Sequence, residues 1–439
     1  MKLLTLAAAA LVLAAGTARA EIEIQEVTSP GGIEAWLVEE PSIPFVALEI
    51  RFRGGASLDA EGKRGATNLM TGLLEEGAGD RDARAFTTAT ENLAARFGYD
   101  VGDDAVSVSA QFLTETRDES VALLRDTLVS PRFDQDAIDR VKAQILSSIR
   151  SDATDPNAIA ARTFDQRAFG DYPYATDYQG TIDSVTGLTR DDVVQAFDRA
   201  IARDRIHVAA AGDISAEELG TLLDELLDDL SAEGAPLPAE ADVATAEGVT
   251  VVPFDTPQSV AIFGHEGIDR DDPDFFAAYV LNTILGAGGY DSRLMEEVRE
   301  KRGLTYGVYS FLVPKDHAAL YMGQVASGNE SIAEAIDVVR AEWARMATEG
   351  VTEDELARAK TYLTGAYPLR FEGNGPIADI LVGMQLDGLD PEYVETRNAM
   401  VEALTVEDVN RVAARLLKPE ALRFVVVGQP AGLEGDVTQ

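Results

Sequence analysis

The sequence predicts an α+β protein of two homologous domains, each an antiparallel-rich sheet packed with helices, related by internal duplication. Three observations carry this. Strand-like and helical segments come in blocks, without the regular βαβ alternation of a parallel sheet. A composite signal occurs twice. Leu188-Thr189-x-x-Asp192-Val193 opens an amphipathic stretch, and the strand Ile206 to Ala211 then stops at Gly212; Leu404-Thr405-x-x-Asp408-Val409 opens another, and the strand Leu422 to Val427 stops at Gly428. Thr to Gly is 23 residues both times. Between the copies, Ser231 to Glu247 is rich in Ala, Glu and Pro and has no helical or strand period, as a linker would. The predicted division is a leader at 1–20, a first domain at 21–230, a linker at 231–247 and a second domain at 248–439.

The elements follow in order. Phe45 to Phe52 reads as a strand, then Gly54-Gly55 breaks it and a helix starts at about Ala66. Ala105 to Phe112 alternates with period two, as a half-buried strand does. Helices are predicted at about 116–128 and 134–151. Thr189 and Thr405 are natural N-caps, with acidic residues in the first turn of each helix. In the second half Ser259 to Gly264 is strand-like, and Asp272 with Pro273 reads as the cap and first position of a helix to about Leu285. Strands at 305–311 and 319–325 and helices at 331–348 and 352–367 complete it.

Composition narrows the function classes. The 439 residues are 46% hydrophobic and 26% charged, ordinary for a folded globular protein. A net charge of −39 excludes a mainly electrostatic nucleic-acid binder and disfavours docking to an anionic membrane. With no Cys, disulfides, thiolate metal sites and Cys nucleophiles are excluded; three His leave little for a multi-His metal site. Lys2, the apolar run Leu3 to Ala15 and Ala18-Arg19-Ala20 form the three parts of a cleavable secretory signal. The run is too short to span a bilayer, and no later apolar run is long enough. The expected location is a bacterial periplasm. The acidic run Asp224 to Leu230 reads as the wet face of a helix.

One segment carries chemistry. From Gly286 to Tyr309, a glycine turn feeds a short helix capped by Asp291 or Ser292; Gly303 sits where a helix C′ residue belongs, and a strand returns from Leu304. Arg299 lies in the last helical turn and Tyr306 early in that strand, so a guanidinium and a phenol converge there as donors for a peptide carbonyl or a developing oxyanion. Taken alone, an arginine in an EExREKR run is more simply a solvated charge.

Gly288-Gly289, Ser292-Arg293-Leu294 and Arg299 through Gly303-Leu304-x-Tyr306 together resemble the pitrilysin/insulinase family of zinc metallopeptidases, which includes mitochondrial processing peptidase. The resemblance covers most of the chain and implies two homologous α+β domains, one carrying zinc and the other an Arg/Tyr pair that grips substrate. In such peptidases zinc is held by H-x-x-E-H on a helix of the first domain, with the Glu as general base, and by a Glu about 76 residues downstream. Framed by Gly65 and Gly77, the matching positions here are Asn68, Thr71 and Gly72, and the downstream position is Ser148. All four are replaced, and Asn68, Thr71 and Ser148 are poor, neutral zinc ligands.

His207 reads as a packed strand residue, His265-Glu266 lacks a second His at i+4, and His317 falls in a turn near Lys315-Asp316. Glu75-Glu76 read as helix-end carboxylates. No G-x-S-x-G elbow suggests a serine triad. The resemblance therefore implies a non-catalytic subunit of a two-chain peptidase. It would hold no metal itself and pair with a homologous zinc-binding subunit. Arg299 and Tyr306 would act in trans on peptides or unfolded polypeptides. The rival readings are a zinc-free scaffold of a larger assembly and, against the ligand count, a stand-alone peptidase.

Overall fold

A computed structural model describes residues 22–245, 247–433 and 435–437. The predicted leader lies outside the described residues. Among the described residues, fourteen strands are β1 (Gln25–Thr28), β2 (Glu34–Glu39), β3 (Phe45–Arg53), β4 (Gly77–Ala78), β5 (Arg81–Asp82), β6 (Arg96–Val101), β7 (Ala105–Leu113), β8 (Ile206–Gly212), β9 (Gly248–Pro253), β10 (Gln258–Glu266), β11 (Val308–Lys315), β12 (Ala318–Gly328), β13 (Arg423–Gly428) and β14 (Asp436–Val437). Apart from the small β4–β5 hairpin, they form two six-stranded sheets, ordered β1-β2-β8-β3-β7-β6 and β14-β9-β13-β10-β12-β11. Each sheet is mostly antiparallel, with β2 parallel to β8 and β9 parallel to β13 as matching exceptions; the edge strands differ, β1 running antiparallel to β2 and β14 parallel to β9. The α+β class and the duplication are thus visible in strand order and strand sense.

The repeat extends to single hydrogen bonds. The helices Arg190–Ala200 and Val406–Leu416 both open with a capping box, Thr189 with Asp192 and Thr405 with Asp408. The strands that follow both end at a glycine with positive φ, 134° at Gly212 and 152° at Gly428. Each of those carbonyls accepts from the chain leaving the neighbouring strand, Glu40 N at 2.9 Å and Phe254 N at 3.1 Å. The turn needs a residue without Cβ: at Gly212 a Cβ would meet the Phe45 carbonyl at 2.2 Å, and at Gly428 the Ser259 hydroxyl at 2.3 Å.

One face of each sheet is covered by helices of its own half. The other is covered by a helix from the opposite half. Pro156–Phe169 of the first half lies on β10 and β13, burying Ile159, Ala160 and Phe164 against Val260, Ile262 and Val425. Asn374–Leu386 of the second half lies on β3 and β8, burying Ile377, Leu381 and Val382 against Ala47, Ala209 and Ala211. The exchange makes the halves one packed body.

The predicted elements appear with bounds shifted by one to three residues, with two corrections. The helix Phe275–Asn282 begins after Asp274, two residues later than expected, with no side-chain cap from Asp274; Asp272 Oδ1 accepts from Asp274 N at 2.8 Å in the turn before it, and the helix continues as a π-helical turn, Thr283–Ala287. The strand expected at 305–311 begins only at Val308; Leu304 to Gly307 is a turn, tied by Thr305 Oγ1 to the Ala326 carbonyl at 2.5 Å. Finally, the segment 231–245 has no helix or strand but is not a free tether. Its carbonyl at Ala239 accepts from Tyr172, and its amides at Ala241 and Ala244 donate to His317 and Ala168. No helix among the described residues is long and apolar enough to cross a membrane.

Candidate functional site

The helix Ala66–Leu73 follows β3 and packs on Gln135–Asp152, as the replaced zinc motif requires. Its chemistry is inert. Thr71 is buried, and its hydroxyl donates to the Thr67 carbonyl at 2.9 Å. Asn68 and Gly72 are half-buried, and Ser148 is exposed. A Cβ on Gly72 would lie 3.2 Å from Val141 Cγ1, so the facing helix fills the space where a ligand side chain would stand. An amide, a committed hydroxyl, a glycine and an exposed serine offer neither charge nor softness to zinc. The residues present do not fit the metal. Among the described residues, no group of three or more His, Cys, Asp or Glu could hold one.

The histidines stay apart. His265 is buried; its Nε2 accepts from Trp343 Nε1 at 2.9 Å, and burial pushes its pKa down to about 4. His207, paired opposite Arg51 on the first sheet, is lowered to about 4 by burial and by Arg53. His317 is buried in the β11–β12 turn against Tyr174. Glu76 accepts from Arg140 Nη2 at 2.5 Å, and Glu75 is raised by desolvation and then by Glu76. Glu76 thereby ties the end of one helix to the next.

The glycine-loop segment is organised by its motif residues. Gly286 lies against β11, where a Cβ would meet Ser310 Oγ at 2.3 Å. Ser292 Oγ donates to the Gly289 carbonyl at 2.8 Å. Arg293 is buried and forked onto Glu355 at 2.6 and 2.8 Å. Burial acts against that carboxylate, but the Arg293 fork and the Thr352 cap hold it down at about 2. Arg293 is therefore architectural. A π-helical turn, Met295–Glu300, carries Arg299, and Gly303, at φ 64°, closes it through Gly303 N to the Arg299 carbonyl and Leu304 N to the Val298 carbonyl.

Within this run the cations divide. Lys301 pairs with Glu296 and Glu297 at 2.9 and 2.7 Å, and Arg302 with Glu297 at 2.7 Å. Arg299 has no carboxylate partner among the described residues; its guanidinium lies 4.7 Å from the Tyr290 ring centroid. Tyr306 rides the turn before β11 and is 87% exposed. The structure brings Arg299 to Tyr290 rather than to Tyr306, because the turn from Leu304 to Gly307 carries the phenol outward. Tyr290 was not singled out in the sequence; its place in the glycine loop, nine residues before Arg299, is the signal that was available.

Tyr309 is exposed beside Tyr306, and on β11 it shares a face with Phe311. Their register partners are Gln324 and Met322. Gln324 donates to Asn157 on the exchanged helix at 2.7 Å, so this face turns toward the first half. The arrangement is a rigid loop offering a free guanidinium and several aromatic side chains, without a metal or a nucleophile–base pair.

Two family models match the chain: "Insulinase (Peptidase family M16)" over residues 35–181 and "Peptidase M16 inactive domain" over 187–363. A non-peptidase homologue, YmxG, from Helicobacter pylori is 26% identical over 89% of this chain and 90% of its own length. An uncharacterized zinc protease from Streptomyces coelicolor is 27% identical over 90% of this chain and 87% of its own. A solved peptidase M16 inactive domain from Pseudomonas fluorescens superposes with a TM-score of 0.87 at 28% identity, covering 95% of this chain and all of its own. With both halves matched and the zinc motif replaced at every position, the chain belongs to the insulinase family, peptidase family M16, as a member lacking the zinc site.

Proposed function

We propose that this protein is the non-catalytic subunit of a two-chain peptidase in a bacterial periplasm. Its partner would be a homologous chain that carries the intact zinc motif, and together they would hydrolyse peptides or unfolded segments. The observation that carries the reading is the contrast within one loop. Every other cation of the 296–302 run is ion-paired, while Arg299, half-buried over Tyr290, has no carboxylate partner among the described residues and Tyr306 is held outward on a turn locked by Thr305 and Gly303. A loop so fixed is preorganised to donate hydrogen bonds to something outside the chain.

The division of labour is physical. Metal and water belong to the partner. On this chain Tyr306 donates its phenol proton in a hydrogen bond to the substrate's developing oxyanion, and Arg299 holds a substrate carbonyl on the C-terminal side of the scissile bond. Tyr290, beneath the guanidinium, limits where Arg299 swings. Losing one oxyanion donor costs about 10²–10³ in rate.

The test is to purify the protein from its native periplasm and identify what accompanies it, then to assay variants of the recovered pair. A homologous chain with H-x-x-E-H near one-to-one, and a fall of at least about 100-fold in kcat for Tyr306→Phe or Arg299→Ala with assembly intact, support the reading. A pair whose activity is untouched by both substitutions, or recovery with unrelated assembly proteins, makes the chain a zinc-free scaffold.

A further inference from the structure

The second half contains a cavity that the proposed function does not use. It has a volume of about 620 Å³, in the range that holds a small organic ligand, and lies where the exchanged helix Asn374–Leu386 leaves its own half. One face of that helix packs the first sheet through Ile377, Leu381 and Val382; another, through Ile380, Gly383 and Met384, lines the cavity. Phe276, Tyr279 and Tyr393 form the opposite wall.

The charges in this wall that lack an ion-pair partner are cationic. Of the five charged residues that line it, three are ion-paired: Arg270 meets Asp387 at 3.1 Å, and Asp379 meets Arg51 at 2.6 Å. Arg370 and Arg397 have no carboxylate partner among the described residues, in a chain of net charge −39. Arg397 is buried; its Nη1 donates to the neutral oxygens of the Leu363 carbonyl at 2.8 Å and Asn398 Oδ1 at 2.9 Å, and its guanidinium lies 4.6 Å from the Tyr367 ring centroid. Tyr367, also a wall residue, is 7% exposed and its hydroxyl has no hydrogen-bond partner. Burial pushes that phenol up to about 12, so it remains a donor. Leaving a buried donor and a buried guanidinium without an anion is unfavourable, and an anionic guest removes both penalties.

We infer that this cavity binds a carboxylate carried on an aromatic or apolar body, with Arg370, Arg397 and the Tyr367 hydroxyl around the carboxylate and the aromatic wall around the body. The same chemistry comes from two sources, the C-terminus of a short peptide and a free aromatic acid.

The test is calorimetric titration of the purified protein with N-acetyl-Leu-Phe, its C-terminal amide, and 3-phenylpropionate. Saturable binding of the acid, with the amide at least about tenfold weaker, is the expected result, tenfold being about 1.4 kcal/mol, the scale of one charge-assisted hydrogen bond. Tyr367→Phe and Arg370→Gln should each weaken the acid by about that factor and leave the amide unchanged. A Cβ at Gly383 meets no atom within 4 Å, so Gly383→Phe fills the cavity without strain and should abolish binding while the melting temperature holds. Equal affinity for acid and amide, binding that survives Gly383→Phe, or no binding of either acid overturns the inference. Phenylpropionate binding as tightly as the dipeptide assigns the site to free acids; tighter dipeptide binding assigns it to peptide ends. No partner chain is involved, so failure here is distinct from failure of the split-site reading.

Discussion

In the first half, the chain between the exchanged helix and the next one, Ile182–Gly187, runs through residues 170–181; in the second, the matching connection to Tyr393–Ala403 is only 387–392. The longer connection buries Tyr174, whose hydroxyl donates to Asp104 and whose ring packs on Phe169. Around it the hairpin turns of both sheets lock together: Arg64 and Lys315 hold Asp103 at 2.7 and 2.6 Å, and Arg53 holds Asp316 at 2.6 Å. The shorter connection inserts nothing comparable, and the aromatic cavity remains. Two copies of one fold thus end in a sealed polar seam on one side and an open pocket on the other. A duplicated scaffold diverges in its connections because they carry few of the contacts that hold the sheets together.

The largest test of that comparison concerns the exchange itself. Phe164→Ala and Leu381→Ala each remove a fully buried side chain of an exchanged helix, so costs of about 3–5 and 2–5 kcal/mol are expected. Because each helix covers the other half's sheet, urea unfolding should stay a single transition in both variants. Two resolved transitions would show that the halves fold as separate domains. Next, Tyr174→Ala opens the sealed seam, with an expected loss of about 3 kcal/mol. The matching change on the open side, Leu389→Ala, already faces the cavity and should cost under about 1 kcal/mol; equal losses would erase the contrast.

A smaller effect probes the dead metal helix. Gly72→His must displace Val141 and should destabilise by about 1–3 kcal/mol, with Val141→Ala restoring part of it. If the single variant is neutral, the helix pair is looser than its packing implies.

The last test is in pH. On the exchanged helix of the first half, Asp165 is pushed up to about 7, chiefly by burial, with Lys315 lowering it and Asp103 and Asp177 raising it. A carboxyl with a raised folded pKa binds more protons folded than unfolded between about pH 4 and 7, so its contribution to stability falls as pH rises through that window. Asp165→Asn should remove a slope of at most about 1.4 kcal/mol per pH unit and be more stable than the wild type at pH 8. Buried His265 in the second half has the opposite sign. Lowered to about 4, it stays neutral when folded, and its contribution is lost as pH falls below about 6.5. Stability curves for Asp165→Asn and the wild type that run parallel from pH 4 to 8 would contradict the assignment.

Much of the fold is legible locally. The capping boxes at Thr189 and Thr405 and the terminal glycines at Gly212 and Gly428 act within a few residues, so their spacing alone exposes the duplication. The vacant zinc positions are equally plain, because metal chemistry needs specific side chains and their replacements are visible in the letters. The Arg/Tyr segment is legible only in part. Gly303 closes its helix as its position implies, but Tyr306 sits on a turn fixed by a bond to Ala326, a residue 20 positions later and on another strand.

By itself, the sequence determined the element types, the repeat, the absence of metal ligands at Asn68, Thr71, Gly72 and Ser148, and the α+β class. These depend on periodicity, caps and side-chain chemistry, which are short-range. The tertiary structure decided that each half covers the other's sheet, that Arg299 stacks on Tyr290, and that the second crossing stays open where the first is sealed. Those outcomes are choices among long-range packings of similar apolar faces. Helix periodicity states that a face is buried but not which sheet buries it.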